Sequence, residues 1–528
     1  MAEQLRIPLL FVLVALILRA PALLFVELNW DEALYWRIAG ELVAGHAPYT
    51  GTWDRKPPGL FALLAAIRAI GGDSVIAMRL GTTLLIAASA LAVRAIGRHL
   101  LPGLPASGTV GGLAYIAGSM RGAGDGTNAE LLLAPFALWG IALALTAAHA
   151  RHAAPALAAG LLGGFALLVK QVALAELAVA GLILAALPTL AGRPAGLRDT
   201  ARLLLAMGAG AALPAALTLL WYAAIGRSPL LVDVLGAAGA ASRVPVSLPA
   251  MMRALTSHAL PAAATLLALA ALPVLLRDRA DRAGMAVLAA WVLSVAAMLL
   301  LLGRFADHMM IQALPPLALG TGALVALAVR ALPPLARRPA LVYAAAALVL
   351  LAWSMRTPTQ VAAEVLWRRH VDGVQHWGDR TATIATVLRP RIKADGDLFV
   401  VGRTLGLYHQ AGVRPPTRFP FTIHLWSGYA PVDGLAEMDR ILATRPAFIV
   451  VDDLWLPRGP RYTPQQIPVL DRLAAALAAG YVMEGRTGRF QTRRGGFVGG
   501  GVGVHVFRRT DVPPFTPIPV APRNAASR

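Results

Sequence analysis

Long apolar segments recur along the first two thirds of this chain, and they limit what it can fold into. A helix that crosses a membrane needs about 20 mainly apolar residues. By that length we predict eleven membrane-spanning helices, near 5–26, 75–96, 103–121, 128–149, 153–169, 172–191, 202–225, 257–276, 284–303, 309–330 and 340–355. Because backbone polar groups must be satisfied inside a bilayer, residues 1–355 are predicted to form an all-α polytopic membrane domain.

The composition agrees with a membrane protein, since 57% of the residues are hydrophobic and only 14% are charged. Soluble domains have about a quarter charged residues. The chain has no cysteine, which excludes disulfides and thiolate metal sites. The formal charge of +20 could suggest a nucleic-acid partner, but the arginines are scattered over short loops rather than gathered in a basic run with interleaved aromatics. We therefore predict no nucleic-acid partner and expect contact with anionic membrane lipids.

The basic residues also predict the orientation in the membrane. Residues 5–26 lack a small-residue cleavage pattern and are predicted to be a retained signal anchor. Arg19 interrupts this segment, and it either reaches the interface or faces the candidate site described below. With the N-terminus inside, the five inner loops carry twelve arginines: Arg94, Arg98, Arg151, Arg193, Arg198, Arg202, Arg277, Arg279, Arg282, Arg330, Arg337 and Arg338. This orientation places residues 27–74 and the chain after 356 outside the cytoplasm.

The first outer loop is predicted to contain two short helices that lie along the membrane interface. The first covers 32–44, with Asp31 as its N-cap and Gly45 at its end. The second covers 58–70 and is opened by a double proline.

The composition changes after Trp353, where strand-like runs appear at 398–401 and 447–451 with a helical stretch at 465–480. We predict an extracytoplasmic α/β domain over 356–510, followed by a Pro-rich disordered tail over 511–528.

Asp31, Glu32 and Lys56 are ionisable residues at the membrane interface, where such groups are tolerated mainly when paired or used for chemistry. Capping and catalysis are about equally supported for Asp31, because a helix N-terminus also holds a carboxylate ionised. An ionised and positioned carboxylate can act as a general base. Lys56 would lie at the depth of a lipid phosphate, and its alternative role is that of an interfacial anchor.

Further charged candidates follow later in the chain. Glu130 lies at the start of the fourth span, where it needs an arginine, a metal or a substrate group as partner. Arg304 and His308 would share a helix face and could bind a phosphate together with Lys56, or could belong to an ordinary loop. Lys170 is a weaker candidate of the same kind. A transporter would place its site near the bilayer midplane, so this distribution favours an interfacial enzyme.

The order of these motifs resembles a known family. Asp31-Glu32 with Tyr35 is followed by the 45–49 turn, Lys56-Pro57-Pro58, Asn128-Ala129-Glu130 and the 303–308 segment. Over residues 5–355 the chain resembles the GT-C glycosyltransferases of the protein O-mannosyltransferase superfamily. The closer likeness is to bacterial lipid A aminoarabinose transferases and lipopolysaccharide-core galacturonosyltransferases.

The resemblance implies a GT-C fold and a reaction. A sugar would leave a polyprenyl phosphate and join a lipid, glycan or protein acceptor on the outer side of the bacterial inner membrane, with inversion. Asp31 would be the general base, and Glu32 and Glu130 would be the other acidic residues of the catalytic set. The residues expected to bind substrate are Tyr35, Lys56, Lys170, Arg304 and His308. Met309 stands where relatives often have an aromatic residue, and the full metal-ligand set is not matched; we predict no required cofactor, with a divalent cation as the alternative.

Two other functions remain open from the sequence. One is an oligosaccharyltransferase-like or nucleotide-sugar-dependent transferase, although neither a large soluble catalytic domain nor a DxD cluster is evident. The other is a flippase for a polyprenyl-linked sugar, without catalysis. A structural or sensor protein would leave Lys56, Glu130 and Arg304 unexplained. The motifs do not identify the sugar, since mannose, galacturonate, arabinose and aminoarabinose donors share them.

Overall fold

The chain packs into two compact units. The computed structural model describes residues 2–23, 28–122, 124–241, 248–275, 278–303, 306–332, 337–354, 380–452, 464–487 and 504–514. One unit comprises Met1–Trp377 with Tyr429–Pro431, and the other comprises Gly378–Gly428 with Val432–Arg528. The predicted boundary between 355 and 356, and the predicted tail from residue 515 onward, lie outside the described residues. The division into domains at these positions therefore stays a prediction.

All the regular secondary structure in the described part of the first unit is helical. Its α-helices are α1 (Ala2–Leu23), α2 (Trp30–Val43), α3 (Pro58–Gly71), α4 (Val75–Leu100), α5 (Ser107–Gly118), α6 (Ala129–Ala150), α7 (Ala153–Val169), α8 (Leu174–Leu190), α9 (Leu197–Ala224), α10 (Ser228–Ala241), α11 (Leu248–Ser257), α12 (Ala259–Leu275), α13 (Arg279–Leu302), α14 (Leu314–Ala331) and α15 (Pro339–Ser354). Two 3₁₀ helices, Gln171–Ala173 and Asp307–Ala313, precede α8 and α14.

A helix lies in each of the eleven predicted spans, but the helices differ in length. Among the described residues, seven helical segments are long and apolar enough to cross a membrane: Leu5–Leu23, Val75–Leu100, Ala129–Ala150, Gln171–Leu190, Leu197–Ala224, Arg279–Leu302 and Asp307–Ala331. The pair α11 and α12 would add an eighth span if counted as one, and it is bent by 82°. The helices α5, α7 and α15 have 12, 17 and 16 residues and are shorter than a full span. The chain is a multi-pass membrane protein.

The core of this unit lies among its central helices. The side chains of Tyr115, Trp291 and Leu314 are fully buried there. By contrast, α9 exposes Leu205 and Leu220 by 74% and 66%, as expected of a helix whose side faces lipid rather than water. Buried polar residues are therefore informative, since this core is otherwise apolar.

The two helices after the first span begin where local chemistry favours a helix. Asn29 caps α2: its side chain accepts from the Glu32 N–H at 2.8 Å, and the Glu32 carboxylate accepts from the Asn29 N–H at 3.2 Å. This capping box makes Asn29 the cap, and the prediction of Asp31 in that role was wrong. Pro58 is the first residue of α3, where a missing N–H costs nothing.

The second unit is built around a four-stranded sheet in the order β1-β2-β4-β3. The strands are β1 (Leu398–Val401), β2 (Phe448–Asp452), β3 (Tyr481–Thr487) and β4 (Val504–Arg509). The pair β1–β2 is parallel, and the other two pairs are antiparallel. The helices are α16 (Arg380–Leu388), α17 (Gly406–Ala411), α18 (Gly434–Ala443) and α19 (Gln466–Gly480), with 3₁₀ helices at Arg389–Arg391 and Thr422–Leu425. The predicted α/β composition of this region is confirmed.

Candidate active site

Asp31 in the first turn of α2 and Tyr35 in the second turn lie on one face, because they are four residues apart in the helix. Asp31 is partly exposed, whereas Tyr35 is buried. Among the described residues, the Asp31 carboxylate forms no hydrogen bond or ion pair with the rest of the chain. Asp31 is therefore free to act on a bound group.

Glu32 differs sharply from its neighbour Asp31, because it is fully buried and fully occupied. Arg79 of α4 contacts its two carboxylate oxygens at 3.2 and 3.0 Å, and the Thr127 N–H donates to it at 2.7 Å. Burial alone would raise the pKa of Glu32, but Arg79 and these N–H groups hold it below its usual value. Glu32 thus ties α2 to α4 and to the loop that contains Thr127.

Breaking this pair on one side should destabilise the protein strongly. Replacing Arg79 by methionine leaves the Glu32 carboxylate buried without its cation, which costs about 3–5 kcal/mol. We expect a clear fall in the thermal unfolding temperature in detergent, and partial recovery when Glu32→Gln is added. The exposed Arg98→Met on the same helix is the matched control, and an unfolding temperature equal in both single variants would contradict the structural role of the pair.

The loop before Glu130, which Glu32 binds through the Thr127 N–H, is also bound by a residue of α1. Arg19 is 1% exposed and donates to the carbonyl oxygens of Gly124 at 2.7 Å and Asp125 at 3.0 Å. Its buried guanidinium is therefore used to fix backbone carbonyls of this loop. This loop leads directly into α6, the helix that carries Glu130 in its first turn.

The partner of Glu130 is Lys170, which was not among the predicted partners, an arginine, a metal or a substrate group. The two side chains form a buried ion pair between the first turn of α6 and the residue that directly follows α7. A glycine brings the first loop close to this pair: a Cβ on Gly59 would lie 2.7 Å from the Leu168 carbonyl oxygen. Only glycine allows this approach, which places the start of α3 against the end of α7.

Five of the predicted site residues interact electrostatically near the start of α6 and the end of α7. The charges of Lys170 and Asp31 act on Lys56. The charges of Lys56 and His308 act on Glu130, and Asp31 also acts on His308. The structure thus brings together Asp31, Lys56, Glu130, Lys170 and His308, although they come from four separate parts of the sequence.

The pKa of Lys56 is unusual for a lysine. Burial lowers it to about 8, and the charges of Lys170 and Arg55 act in the same direction while Asp31 and Asp54 oppose them. Lys56 therefore carries its charge at neutral pH and loses it as the pH rises through about 8.

Asp54 is a member of this cluster that the sequence motifs did not single out. Its side chain is 4% exposed, and burial raises its pKa to about 6 although Lys56 and Arg55 oppose the shift. The sequence shows that the Asp54 carboxylate lies two residues before Lys56, the candidate phosphate ligand. It does not show that Asp54 is buried, because burial depends on the fold.

Two other predictions concern the remaining site residues. Arg304 lies outside the described residues, so its pairing with His308 stays a prediction. Within the described part of the chain, no three His, Asp or Glu side chains are arranged to hold a metal ion. The expectation that no cofactor is required remains a prediction.

An apolar groove begins at the start of α3. It has a volume of about 440 Å³ and is lined by Leu42, Pro48, Pro58, Gly59, Ala62, Leu161, Phe165, Leu168, Leu213, Pro214, Leu217, Thr218 and Trp221. The lining is almost entirely apolar: among these residues the only polar side-chain groups are the hydroxyl of Thr218 and the indole N–H of Trp221. Because Pro58 lies two residues after Lys56 and Leu168 two residues before Lys170, the groove adjoins the charged cluster.

The fold is similar to that of a solved membrane enzyme. Two crystal structures of the aminoarabinose transferase ArnT from Cupriavidus metallidurans, one bound to undecaprenyl phosphate and one in the apo state, match this chain with TM-scores of 0.60 and 0.61. Each match is 14% identical and covers 94% of this chain and 97% of ArnT. No protein-family model and no curated protein matches the chain. The chain therefore shares the fold of ArnT, in agreement with the fold class predicted from its motifs.

Proposed function

We propose that this protein is a membrane glycosyltransferase that moves a sugar from a polyprenyl phosphate to a lipid, glycan or protein acceptor. The observation that carries the proposal is the combination of Lys56 and the apolar groove at the start of α3. A cation beside an apolar groove matches a ligand with a phosphate head and a long isoprenoid tail. The ArnT structure with undecaprenyl phosphate, which shares this fold, supports the same ligand class.

Asp31 is the group that we propose as general base. It would take a proton from the acceptor as the acceptor attacks the sugar carbon, and it is free of internal partners among the described residues. The attack occurs opposite to the phosphate, so the configuration at the sugar carbon inverts. Positive charge that develops on the sugar would also be stabilised by the carboxylate.

Lys56 is the group that we propose for the leaving phosphate. Negative charge grows on that phosphate in the transition state, and a cation aimed at it lowers the barrier. Lys170 and His308 lie in electrostatic reach and would share this role, with Glu130 fixing Lys170 through their ion pair. For Glu32 we propose a positioning role rather than a catalytic one, because its oxygens are already occupied by Arg79, Thr127 and Asn29.

We further propose that the charged cluster and the second unit lie outside the cytoplasm at the bacterial inner membrane. The arginines predicted to lie on the cytoplasmic side support this orientation; they occur in the sequence at 94–98, 151, 193–202, 277–282 and 330–338.

A transfer assay tests the function directly. The purified protein in lipid nanodiscs is given undecaprenyl phosphate carrying labelled mannose, galacturonate, arabinose or aminoarabinose, with native membrane lipid as acceptor. Transfer from at least one donor is expected, and the active donor identifies the sugar. A nanodisc has no enclosed compartment, so a flippase would give binding without transfer in this assay and would contradict the proposal.

The groove itself makes a separate prediction. Replacing Ala62 by tryptophan fills the groove, and we expect the affinity for undecaprenyl phosphate to fall by about tenfold or more, since burial of each isoprenoid CH₂ is worth about 0.8 kcal/mol. Ala66→Trp lies one turn further along α3, is equally exposed, and is not part of the groove lining, so it should bind normally. Equal affinities of the two variants would exclude the groove as the tail site.

A further inference from the structure

Asp54 has a buried carboxylate oxygen that the chain leaves without a hydrogen bond. Its Oδ1 accepts from the Arg55 N–H at 2.7 Å. Its Oδ2 is buried and has no hydrogen-bond partner in the part of the chain that the structure describes. Burial of an unsatisfied carboxylate oxygen is costly, so Oδ2 requires a donor that the described part of the chain does not supply.

The neighbouring positive charges of Lys56 and Arg55 do not pair with Oδ2 of Asp54. Lys56 and Arg55 both act on Asp54 electrostatically, yet neither forms an ion pair with it among the described residues. With a pKa of about 6, Asp54 is mainly ionised at neutral pH and can only accept hydrogen bonds. The missing partner is therefore a hydrogen-bond donor, and the hydroxyl and amino groups of a sugar are donors of this kind.

The position of Asp54 indicates which substrate supplies that group. In the proposed function, Lys56 holds the donor phosphate and Asp31 faces the acceptor. The sugar is bonded to that phosphate and must lie between the two residues. The charges of both Lys56 and Asp31 act on Asp54, which places Asp54 in the neighbourhood of the space that the sugar would occupy.

We propose that Asp54 accepts a hydrogen bond from a hydroxyl or amino group of the polyprenyl-linked sugar and so contributes to the choice of donor. This inference rests on the proposed function, whose Lys56 and Asp31 define the space for the sugar. Asp54 would add affinity only when a sugar is present, whereas Lys56 would add affinity for the phosphate with or without a sugar.

Binding measurements separate these contributions. The affinities of undecaprenyl phosphate and of its mannose, galacturonate, arabinose and aminoarabinose derivatives are measured for the wild-type protein, Asp54→Asn and Asp54→Ala in nanodiscs. At least one derivative should bind the wild-type protein more tightly than undecaprenyl phosphate. That preference should fall by about 10- to 100-fold in Asp54→Ala and less in Asp54→Asn, which keeps an acceptor oxygen.

A control variant and three contradicting outcomes complete the test. The control is Asp73→Asn. Asp73 is another acidic residue of the first outer loop (27–74), and it pairs with Arg68, so this variant should leave all the affinities unchanged. The proposal is overturned if no derivative is preferred by the wild-type protein, if the preference persists in both Asp54 variants, or if the affinity for undecaprenyl phosphate falls as much as that for the sugars. Asp54→Asn is isosteric and provides the folded variant, checked by thermal unfolding. Failure of the proposed function would appear separately, as an absence of transfer in the nanodisc assay.

Discussion

Replacing Asp31 by asparagine should lower the rate of sugar transfer by about 10²- to 10⁴-fold, the usual contribution of a general base. Asparagine keeps the size and hydrogen-bonding capacity of the side chain but cannot take a proton. Since Asn29, not Asp31, caps α2, the helix should form normally in this variant. The effect should therefore fall on kcat, with the affinity for undecaprenyl phosphate unchanged.

The measurement is single-turnover transfer alongside equilibrium binding of undecaprenyl phosphate. Asp73→Asn removes a charge from the same loop and should stay close to wild-type activity, because its side chain pairs with Arg68 rather than with the cluster. A rate for Asp31→Asn within about threefold of wild type would exclude Asp31 as the base.

The second large loss of activity is expected when Lys56 is replaced. Replacing it by alanine removes the cation proposed for the leaving phosphate and should lower kcat/KM by about 10²- to 10³-fold, the range observed when one transition-state donor is removed. Binding of undecaprenyl phosphate should weaken as well, since the phosphate is present in that ligand. Unchanged binding together with unchanged kcat/KM would show that Lys56 is only an interfacial anchor.

The pH dependence provides an independent test of Lys56. Its pKa is lowered to about 8, so the positive charge is complete well below pH 8 and is lost above it. We expect kcat/KM to fall about tenfold per pH unit beyond pH 8. Lys56→Arg should be less active at pH 7 but should lack this decline, because arginine stays charged. The charged groups that act on Lys56 are Lys170, Arg55, Asp31 and Asp54, and a decline that persists in Lys56→Arg would assign it to another group.

Much of the local structure followed from the sequence because it depends on nearby residues. The two helices of the first loop begin and end within two residues of the predicted positions, since prolines and glycines punctuate the chain there. The cap was misassigned because Asn29 and Asp31 are both good capping residues. The choice depends on Glu32, which completes a capping box only with Asn29.

Helix lengths were predicted less well than helix positions. Hydropathy reports that a segment is apolar, and it does not show where the backbone turns. The segment near 257–276 follows a bend of 82° at the junction of α11 and α12, and α5 ends after 12 residues. Both features depend on packing between helices.

The contacts that assemble the site could not be predicted from spacing. The partner of Glu130 is 40 residues away at Lys170, and that of Glu32 is 47 residues away at Arg79. The burial of Asp54 likewise exists only once the first loop is folded. Motifs identified charged residues suited to this chemistry, and the fold decided which of them are paired and which are free.

The measurement that most directly tests a polyprenyl-phosphate glycosyltransferase is a mass balance on purified protein in nanodiscs with the best labelled donor and membrane lipid. We predict equal amounts of released undecaprenyl phosphate and glycosylated acceptor for the wild-type protein, and neither product for Asp31→Asn beyond background. Label that remains on the polyprenyl phosphate for every donor, or equal yields from the wild-type protein and Asp31→Asn, would contradict it.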